Sequence, residues 1–162
     1  MKVVSDASPL ITLARISCFD LLPKLFGKIY ISSEVYKEVV IDGEGLPGAA
    51  EVSQADWIEV RLLERLVGAP VRPDLGAGEV SAVALAKDLS ADLVMIDEWR
   101  ARRFAQDEGL AVVGCIGILE NLYDRGLMSD LRRAYEQLIQ SKTRIDLRTL
   151  QNSLAKFGLL PL

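Results

Sequence analysis

The most informative absence in this 162-residue chain is histidine, of which it has none. Ser-His-Asp and Cys-His nucleophile systems, histidine general bases and nearly all mixed zinc sites require an imidazole. These classes of chemistry are therefore excluded. Any reaction that the protein catalyses must depend on carboxylates, lysines, hydroxyls or a bound cofactor.

Cysteine is scarce as well, and the two that occur, Cys18 and Cys115, are far apart in the sequence. Neither belongs to a Cys-x-x-Cys pair, which is typical of buried thiols in a reducing cytoplasm. The longest uncharged stretch, 109–119, is much shorter than the roughly 20 residues of a membrane-spanning helix. The opening residues lack a secretion signal, because Asp6 interrupts the apolar region that one requires. We therefore expect a cytoplasmic protein with no membrane contact.

A surplus of positive charge is also missing, since 19 Lys and Arg residues stand against 23 Asp and Glu residues, for a net charge of −4. A general nucleic-acid binder is usually basic, so a binding surface spread over the whole protein is not expected. An excess of carboxylates is nevertheless compatible with an enzyme that acts on nucleic acid and holds a divalent metal.

Hydrophobic residues make up 50% of the chain and charged residues 26%, which is the composition of a globular protein rather than a disordered one. The length is that of one domain with a proper core. We therefore predict a single domain over residues 1–162, with residues 128–162 forming a C-terminal helical extension packed on it.

Short apolar runs alternate with helical patterns along the chain, which is typical of β-α units. The pattern predicts a three-layer α/β/α fold with a central parallel sheet of about five strands, at 3–4, 29–31, 57–63, 93–96 and 111–113. The first helix is expected to begin with Ser8 as its N-cap and Pro9 at its first helical position. A connection over 68–78 leads into a helix over about 79–89, and the chain is expected to be helical from Ile116 onward.

Two aspartates stand directly after predicted strands, Asp6 after the first and Asp97 after the fourth. Ligands of open parallel sheets bind at the carboxyl ends of the strands, near the point where the strand order reverses. If these two strands are neighbours in the sheet, the two carboxylates converge. A lone Asp after a strand is more often a cap or turn residue, and this interpretation stays open above all for Asp97, because Ser8 is the expected cap near Asp6.

Two glutamates complete the set of acids that could carry chemistry. Glu79 follows Gly76 and Gly78, and such glycines let the backbone come close to whatever the carboxylate binds. Taken alone, Glu79 is better explained as a first-turn acid that the helix dipole stabilises. Glu38 lies beside the apolar stripe of a short helix, where a glutamate is usually a solvated residue. A complete phosphate-binding loop is missing, because no Lys-Ser or Lys-Thr follows the glycines.

The acids and their neighbours form motifs, namely Asp6-Ala7-Ser8-Pro9-Leu10-Ile11, Val35-x-x-Glu38-Val39, Leu75-Gly76-x-Gly78-Glu79, Ile96-Asp97-Glu98-x-x-Ala101-Arg102 and Gly114-Cys115-Ile116-Gly117-Ile118-Leu119. In order and spacing they resemble the PIN-domain family, and more closely its VapC-like branch. The resemblance covers about residues 2–125. One departure is Glu98, because the branch commonly has a second aspartate at that position.

The resemblance implies a cluster of acids that binds Mg²⁺ or Mn²⁺ for the cleavage of single-stranded RNA. It assigns four catalytic and metal-binding residues, Asp6, Glu38, Glu79 and Asp97, and three candidate supporting residues, Ser8, Glu98 and Arg102. Hard divalent cations prefer such a set of oxygen ligands. Without the four acids, the remaining acidic and basic residues balance at 19 each.

These observations favour a Mg²⁺- or Mn²⁺-dependent endoribonuclease, a hydrolase of phosphodiester bonds, as the toxin of a type II toxin-antitoxin pair. The alternative is a catalytically inactive PIN-like protein that binds nucleic acid or protein. A small phosphohydrolase or nucleotide-binding protein is disfavoured by the missing phosphate loop, and a response-regulator receiver by the lack of a lysine after the strand at 111–113. The family resemblance further implies a homodimer that a cognate antitoxin protein inhibits.

Overall fold

The computed structural model describes residues 1–63 and 72–162, and within them five strands form one sheet. The strands are β1 (Val3–Ser5), β2 (Ile29–Ser32), β3 (Ile58–Arg61), β4 (Leu93–Met95) and β5 (Val112–Val113). Their spatial order is β3-β2-β1-β4-β5, and every neighbouring pair is parallel. The predicted five-stranded parallel sheet is thus confirmed.

Helices cover both faces of this sheet. Those within the described residues are α1 (Ala7–Arg15), α2 (Leu22–Phe26), α3 (Ser33–Tyr36), α4 (Ala49–Gln54), α5 (Ala77–Asp88), α6 (Trp99–Asp107), α7 (Cys115–Asp124), α8 (Leu131–Gln140) and α9 (Leu147–Lys156). A short 3₁₀ turn, Phe19–Leu21, precedes α2, and a wider π-helical turn, Lys37–Ile41, continues α3. In the part of the chain that the structure describes, no helix is long and apolar enough to cross a bilayer.

The core lies on both sides of the central strands. Helix α5 packs on β1, β2 and β4, with α3 and α6 beside it, whereas α1 contacts α4 and α7. Successive residues of the central strands, such as Val3 and Val4 in β1 and Val94 and Met95 in β4, are fully buried. A parallel sheet that is covered on both faces requires apolar side chains at consecutive positions rather than alternate ones. The predicted three-layer α/β/α architecture is confirmed.

The order of the strands reverses beside β1. From β1 the chain moves to β2 and β3 on one side, and it then returns to β4 on the other side. Strands β1 and β4 are hydrogen-bonded neighbours, with Val4 level with Val94. The backbone N–H of Asp6 continues this pairing by donating to the carbonyl of Met95 over 2.9 Å. A crevice therefore lies at the carboxyl ends of these two strands, where ligands of such sheets bind.

The start of α1 differs from the prediction. The helix begins at Ala7, so Asp6 rather than Ser8 holds the N-cap position, and the expectation of a Ser8 cap is wrong. Pro9 then lies in the first turn, where its missing N–H would have no partner within the helix in any case. The Asp6 side chain makes no capping hydrogen bond. Its carboxylate is therefore not used to begin the helix.

The start of α5 also differs, since the helix begins at Ala77, two residues before the predicted start. Gly78 consequently lies in the first helical turn rather than in the connection. The predicted connection over 68–78 falls in part outside the described residues, which resume at Arg72. The predicted helical region after Ile116 is present as α7, α8 and α9, separated by turns.

The last two helices extend the core beyond the sheet by packing on α7. Tyr135 of α8 is fully buried, and its hydroxyl lies 2.6 Å from Ser153 Oγ of α9. Ser153 in turn donates to Glu120 of α7 over 2.7 Å. This chain of hydrogen bonds joins the three helices. A single domain over 1–162, with 128–162 packed on it as an extension, stays a prediction.

Candidate active site

Asp6 is the buried centre of the crevice. It follows β1 directly and is only 2% exposed. One of its carboxylate oxygens, Oδ1, is buried and has no hydrogen-bond partner among the described residues. Burial raises the pKa of Asp6 from 3.8 to about 7, and the charges of Glu79, Glu38 and Asp97 add to the rise. A buried carboxylate without a partner is unfavourable unless it binds a proton or a cation.

Gly78 brings a second carboxylate close to Asp6. Glu38 Oε2 lies 3.2 Å, and Asp6 Oδ1 3.7 Å, from the point where a Cβ on Gly78 would stand. Any larger residue at position 78 would therefore place a methyl group between the two acids. Glu38 as a whole is exposed, but its carboxylate end is partly shielded. This burial raises the pKa of Glu38, and the charge of Asp42 adds to the effect.

Two buried serines hold the segments that carry Glu38 and Gly78 against each other. Ser32 ends β2 and caps α3 by accepting a hydrogen bond from the Val35 N–H over 3.0 Å. Its hydroxyl also lies 2.7 Å from Ser81 Oγ, and Ser81 donates to the Gly78 carbonyl over 2.8 Å. Because both serines are fully or almost fully buried, these hydrogen bonds fix the start of α5 relative to α3.

Glu79 lies in the first turn of α5 and is half-buried. Burial raises its pKa, and the charge of Glu98 is the next largest cause. Glu98 itself is the N-cap of α6, and its Oε2 accepts a hydrogen bond from the Ala101 N–H over 3.0 Å. The structure therefore gives Glu98 a capping role, whereas Glu79 is left facing other acids.

Asp97 is held by the start of α7. Its Oδ1 accepts a hydrogen bond from the Cys115 N–H over 2.7 Å, and its Oδ2 accepts one from the Cys115 thiol over 3.0 Å. Burial raises the pKa of Cys115 well above its ordinary value, with the charge of Asp97 adding to it, so the thiol is a neutral donor. A carboxylate at a helix N-terminus is also favoured by the helix dipole. The Asp97 carboxylate is thereby held in a defined orientation.

Arg102 of α6 lies near the same carboxylate without forming an ion pair with it. Its Nη1 lies 2.5 Å, and Asp97 Oδ1 3.0 Å, from the point where a Cβ on Gly114 would stand. The guanidinium therefore packs against the backbone of Gly114 beside Asp97. A side chain at position 114 would clash with it. Ser8 is exposed and lines the same cleft as Asp97 and Arg102. These two candidate supporting residues are thus near Asp97.

The charges of the other three predicted acids, Glu79, Glu38 and Asp97, all add to the rise in the pKa of Asp6. Within residues 1–63 and 72–162, however, no three Asp, Glu or Cys side chains are grouped closely enough to hold a metal ion. The residues still fit Mg²⁺ or Mn²⁺ chemically, because all the donors are oxygens and Asp6 Oδ1 is buried and unpaired. The close approach of Glu38 and Asp6 over Gly78 supports the same fit.

Three residues that matter for this geometry are missing from the predicted site. The sequence presents Gly78, Gly114 and Cys115 only as parts of motifs, because the two glycines have no side chain and Cys115 does not belong to a Cys-x-x-Cys pair. Their contribution is space or a hydrogen bond for a neighbouring acid. The position of Gly114 and Cys115 directly after a strand, at a helix start, is the signal that could have identified them.

Comparisons with known proteins indicate the family and the fold. The family model DUF3368, described as a PIN domain, matches residues 2–159. Among solved structures, the chain is similar to a PilT N-terminus domain protein from the hyperthermophilic archaeon Sulfolobus solfataricus P2, with a TM-score of 0.54 and 17% sequence identity. This likeness covers 90% of this chain and 98% of that chain, and it concerns the fold alone. No curated protein matches the chain significantly.

The raised pKa of Asp6 makes the stability of the metal-free protein depend on pH. Between 3.8 and about 7, the native state holds a proton on Asp6 that the unfolded chain has lost. The free energy of unfolding should therefore fall as pH rises through this window, by about 2–3 kcal/mol between pH 5 and pH 8. In Asp6→Asn the fall should be much smaller. Urea unfolding in chelator at several pH values measures it, and an equal slope in both proteins would contradict the assignment.

Replacing Gly78 should separate stability from metal binding. In Gly78→Ala the new methyl group comes within contact distance of Glu38 and Asp6, and we expect the affinity for Mn²⁺ to fall about tenfold. Stability should change by no more than about 1 kcal/mol, because Ala favours a helix and Glu38 can shift. Gly76→Ala is the matched control, since a Cβ there meets open space. Calorimetric titration that gives equal affinities for the two variants would contradict the prediction.

Proposed function

The chain belongs to the PIN-domain family, whose function is of the nuclease type, and on that premise we propose that it is a Mg²⁺- or Mn²⁺-dependent endoribonuclease of the VapC-like branch. Its substrate is single-stranded RNA. The observation that supports this proposal most directly is the buried, unpaired Oδ1 of Asp6, which lies close to Glu38 at the end of the central strand. A buried carboxylate oxygen without a hydrogen-bond partner is available to bind a cation.

Four residues would hold the metal: Asp6, Glu38, Glu79 and Asp97. The chemistry that Mg²⁺ or Mn²⁺ supplies when bound is polarisation of the phosphodiester and a lowered pKa of a bound water. Burial and mutual repulsion disfavour the charged forms of Asp6, Glu38 and Glu79. A bound cation would therefore stabilise these carboxylates. Metal binding should therefore displace the proton that Asp6 holds below about pH 7.

The remaining parts of the site position substrate and acids. Cys115, at the start of α7, orients the Asp97 carboxylate through two hydrogen bonds. Arg102, which lies beside Asp97 over Gly114, can donate to a phosphate oxygen of the RNA and offset its charge. Because no histidine is present, no side chain here has an ordinary pKa suited to a general base at neutral pH.

A second candidate function is a PIN-like protein that binds nucleic acid or protein without cleaving it. One observation favours it: the described residues contain no group of three ligands that is already assembled around a metal position. The two candidates differ in a single measurable property. An active enzyme turns over RNA when a divalent cation is supplied, whereas a binding module does not.

Cleavage of single-stranded RNA should be lost in EDTA and restored by Mg²⁺ or Mn²⁺, because the acids cannot act without a cation. Asp6→Asn and Asp97→Asn should each lower the rate about 100-fold or more. Asp88→Asn, an exposed acid at the other end of α5 from Glu79, should keep the full rate. A labelled oligonucleotide resolved on a gel measures these rates.

Two outcomes of that experiment would contradict the enzyme. Cleavage that persists in chelator, or that is equal in Asp6→Asn and Asp88→Asn, would come from a contaminant or a different chemistry. RNA that is bound but never cleaved with metal present would establish the binding module instead.

The proposal includes a role as the toxin of a type II pair in the cytoplasm, with a homodimer inhibited by an antitoxin. Two large apolar side chains are exposed near candidate site residues in the sequence, and they support a protein partner. Ile41 follows Glu38 in the same turn and is 60% exposed, while Trp99 follows Glu98 and is 67% exposed. Exposed apolar surface beside a site is typical of an interaction surface.

Production of the chain in bacteria should arrest growth, whereas the Asp97→Asn variant should not, because arrest requires RNA cleavage. Co-production of the small protein encoded next to it should restore growth and yield a complex that purifies intact. Light scattering of the free chain at micromolar concentration should give the mass of two chains. Normal growth with active enzyme present would contradict the toxin role, and the mass of one chain would contradict the dimer.

A further inference from the structure

A cleft of about 690 Å³ runs from Asp97 to the segment between α8 and α9. One wall is formed by the end of β5 and the start of α7, and the opposite wall by residues Thr143, Arg144, Ile145, Asp146 and Thr149. The cleft is continuous with the candidate active site through Asp97, Arg102 and Ser8. The candidate metal site does not account for this cleft, because Asp97 is the one member of the four acids that lines it.

We propose that this cleft binds a nucleotide of the single-stranded RNA next to the scissile phosphate, and that Arg144 contacts its phosphate. The C-terminal extension is then a substrate-binding element. This inference rests on the proposed function and adds to it a place for the substrate. The rival occupant is a segment of a partner protein.

The two arginines of the cleft are its groups that suit an anionic ligand, although three acids also line it. Its three acids already have partners: Asp97 accepts from Cys115, Glu98 caps α6, and Asp146 caps α9 by accepting from the Arg148 N–H. Its two cations, Arg102 and Arg144, form no ion pair with a carboxylate within the described residues. Guanidinium groups are well suited to phosphate, because their planar donors can bind two oxygens at once.

The size and the walls of the cleft fit one nucleotide. Ligand sites for small molecules have volumes of about 300–1,000 Å³ and combine apolar walls with a few polar groups. Here Val112, Val113, Ile116 and Ile145 supply apolar surface for a base, and the exposed hydroxyl of Ser8 lies at the active-site end. An RNA strand that is cleaved beside Asp97 extends beyond the scissile phosphate in both directions. The cleft adjoins Asp97 and can therefore hold the neighbouring nucleotide.

The outer wall is ordered by its own hydrogen bonds. Ser141 Oγ lies 2.7 Å from Thr143 Oγ1 and donates to the Leu138 carbonyl, which ties the segment to the end of α8. Thr149 donates to Asp146 over 3.2 Å at the start of α9. Arg144 is therefore presented by a fixed turn between two packed helices, and little order has to be gained when a ligand binds.

The test measures the affinity of a fluorescein-labelled, 12-nucleotide single-stranded RNA by anisotropy, in the Asp6→Asn background so that the RNA stays intact. Arg144→Ala should weaken binding about tenfold, through the loss of a charged hydrogen bond. The slope of log affinity against log salt concentration should also be shallower for Arg144→Ala, by about 0.7. This is the contribution of one phosphate contact on a single strand. Arg144→Lys should recover part of both losses.

Arg125→Ala is the matched control, because Arg125 is exposed and ends α7 at the opposite end from Cys115. It should leave both the affinity and the salt dependence unchanged. In the protein with Asp6 intact, Arg144→Ala should raise the KM for RNA and leave kcat nearly unchanged, because Arg144 does not contact the reacting atoms.

Three outcomes would overturn the inference, and they differ in what they say about the proposed function. If Arg144→Ala matches Arg125→Ala while the wild type cleaves RNA, the cleft proposal fails and the ribonuclease stands. If the wild type neither binds nor cleaves RNA, both fail. If Arg144→Ala weakens the complex with a co-purified partner protein and leaves RNA affinity unchanged, the cleft binds protein instead.

Discussion

The burial of one carboxylate, that of Asp6, is the constraint on which the site depends. Strand β1 lies at the centre of a sheet covered on both faces, and the Asp6 N–H is bonded to the strand beside it. The backbone at Asp6 is therefore held by the central strand pairing, and its side chain is buried beneath the surrounding elements. Because Asp6 Oδ1 is unpaired, the protein carries a local instability that a proton relieves below about pH 7 and that a cation could relieve above it.

The two aspartates that end neighbouring strands are in different environments. Asp6 is almost fully buried and lacks a partner, whereas Asp97 is half-buried and accepts two hydrogen bonds from Cys115. Hydrogen bonds and a helix N-terminus stabilise a carboxylate as an anion, while burial alone stabilises its protonated form. Asp97 is therefore held in place by its hydrogen bonds, whereas the charge of Asp6 depends on whether it binds a proton or a cation. This asymmetry arises from two adjacent strands with the same local sequence pattern.

Two glycines determine how closely the charged side chains of the site can approach one another. Gly78 lets Glu38 and Asp6 approach each other, and Gly114 lets Arg102 lie beside Asp97. The buried Ser32 and Ser81 join the two segments that flank Gly78, so the approach of the acids is held by the core and not by the acids themselves. The C-terminal helices add an outer wall to the same region, since α9 begins beside the cleft that Asp97 lines. Acids that repel one another are thus kept together by neutral contacts.

The sequence by itself determined the parallel sheet of about five strands and the acids that follow the first and fourth strands, because apolar runs and the residues that follow them are local signals. That these two strands are neighbours was decided only by the tertiary structure. The sequence misplaced the start of α1, since Ser8 and Pro9 are favourable at several first-turn positions and packing chooses among them. Only the tertiary structure decided that Glu98 caps a helix, that Cys115 holds Asp97, and that residues 143–149 reach the cleft. Some of these contacts join residues that are distant in the chain, and others compete with equally good local alternatives. The packing free energy that selects them depends on the whole fold and cannot be inferred from one segment of the sequence.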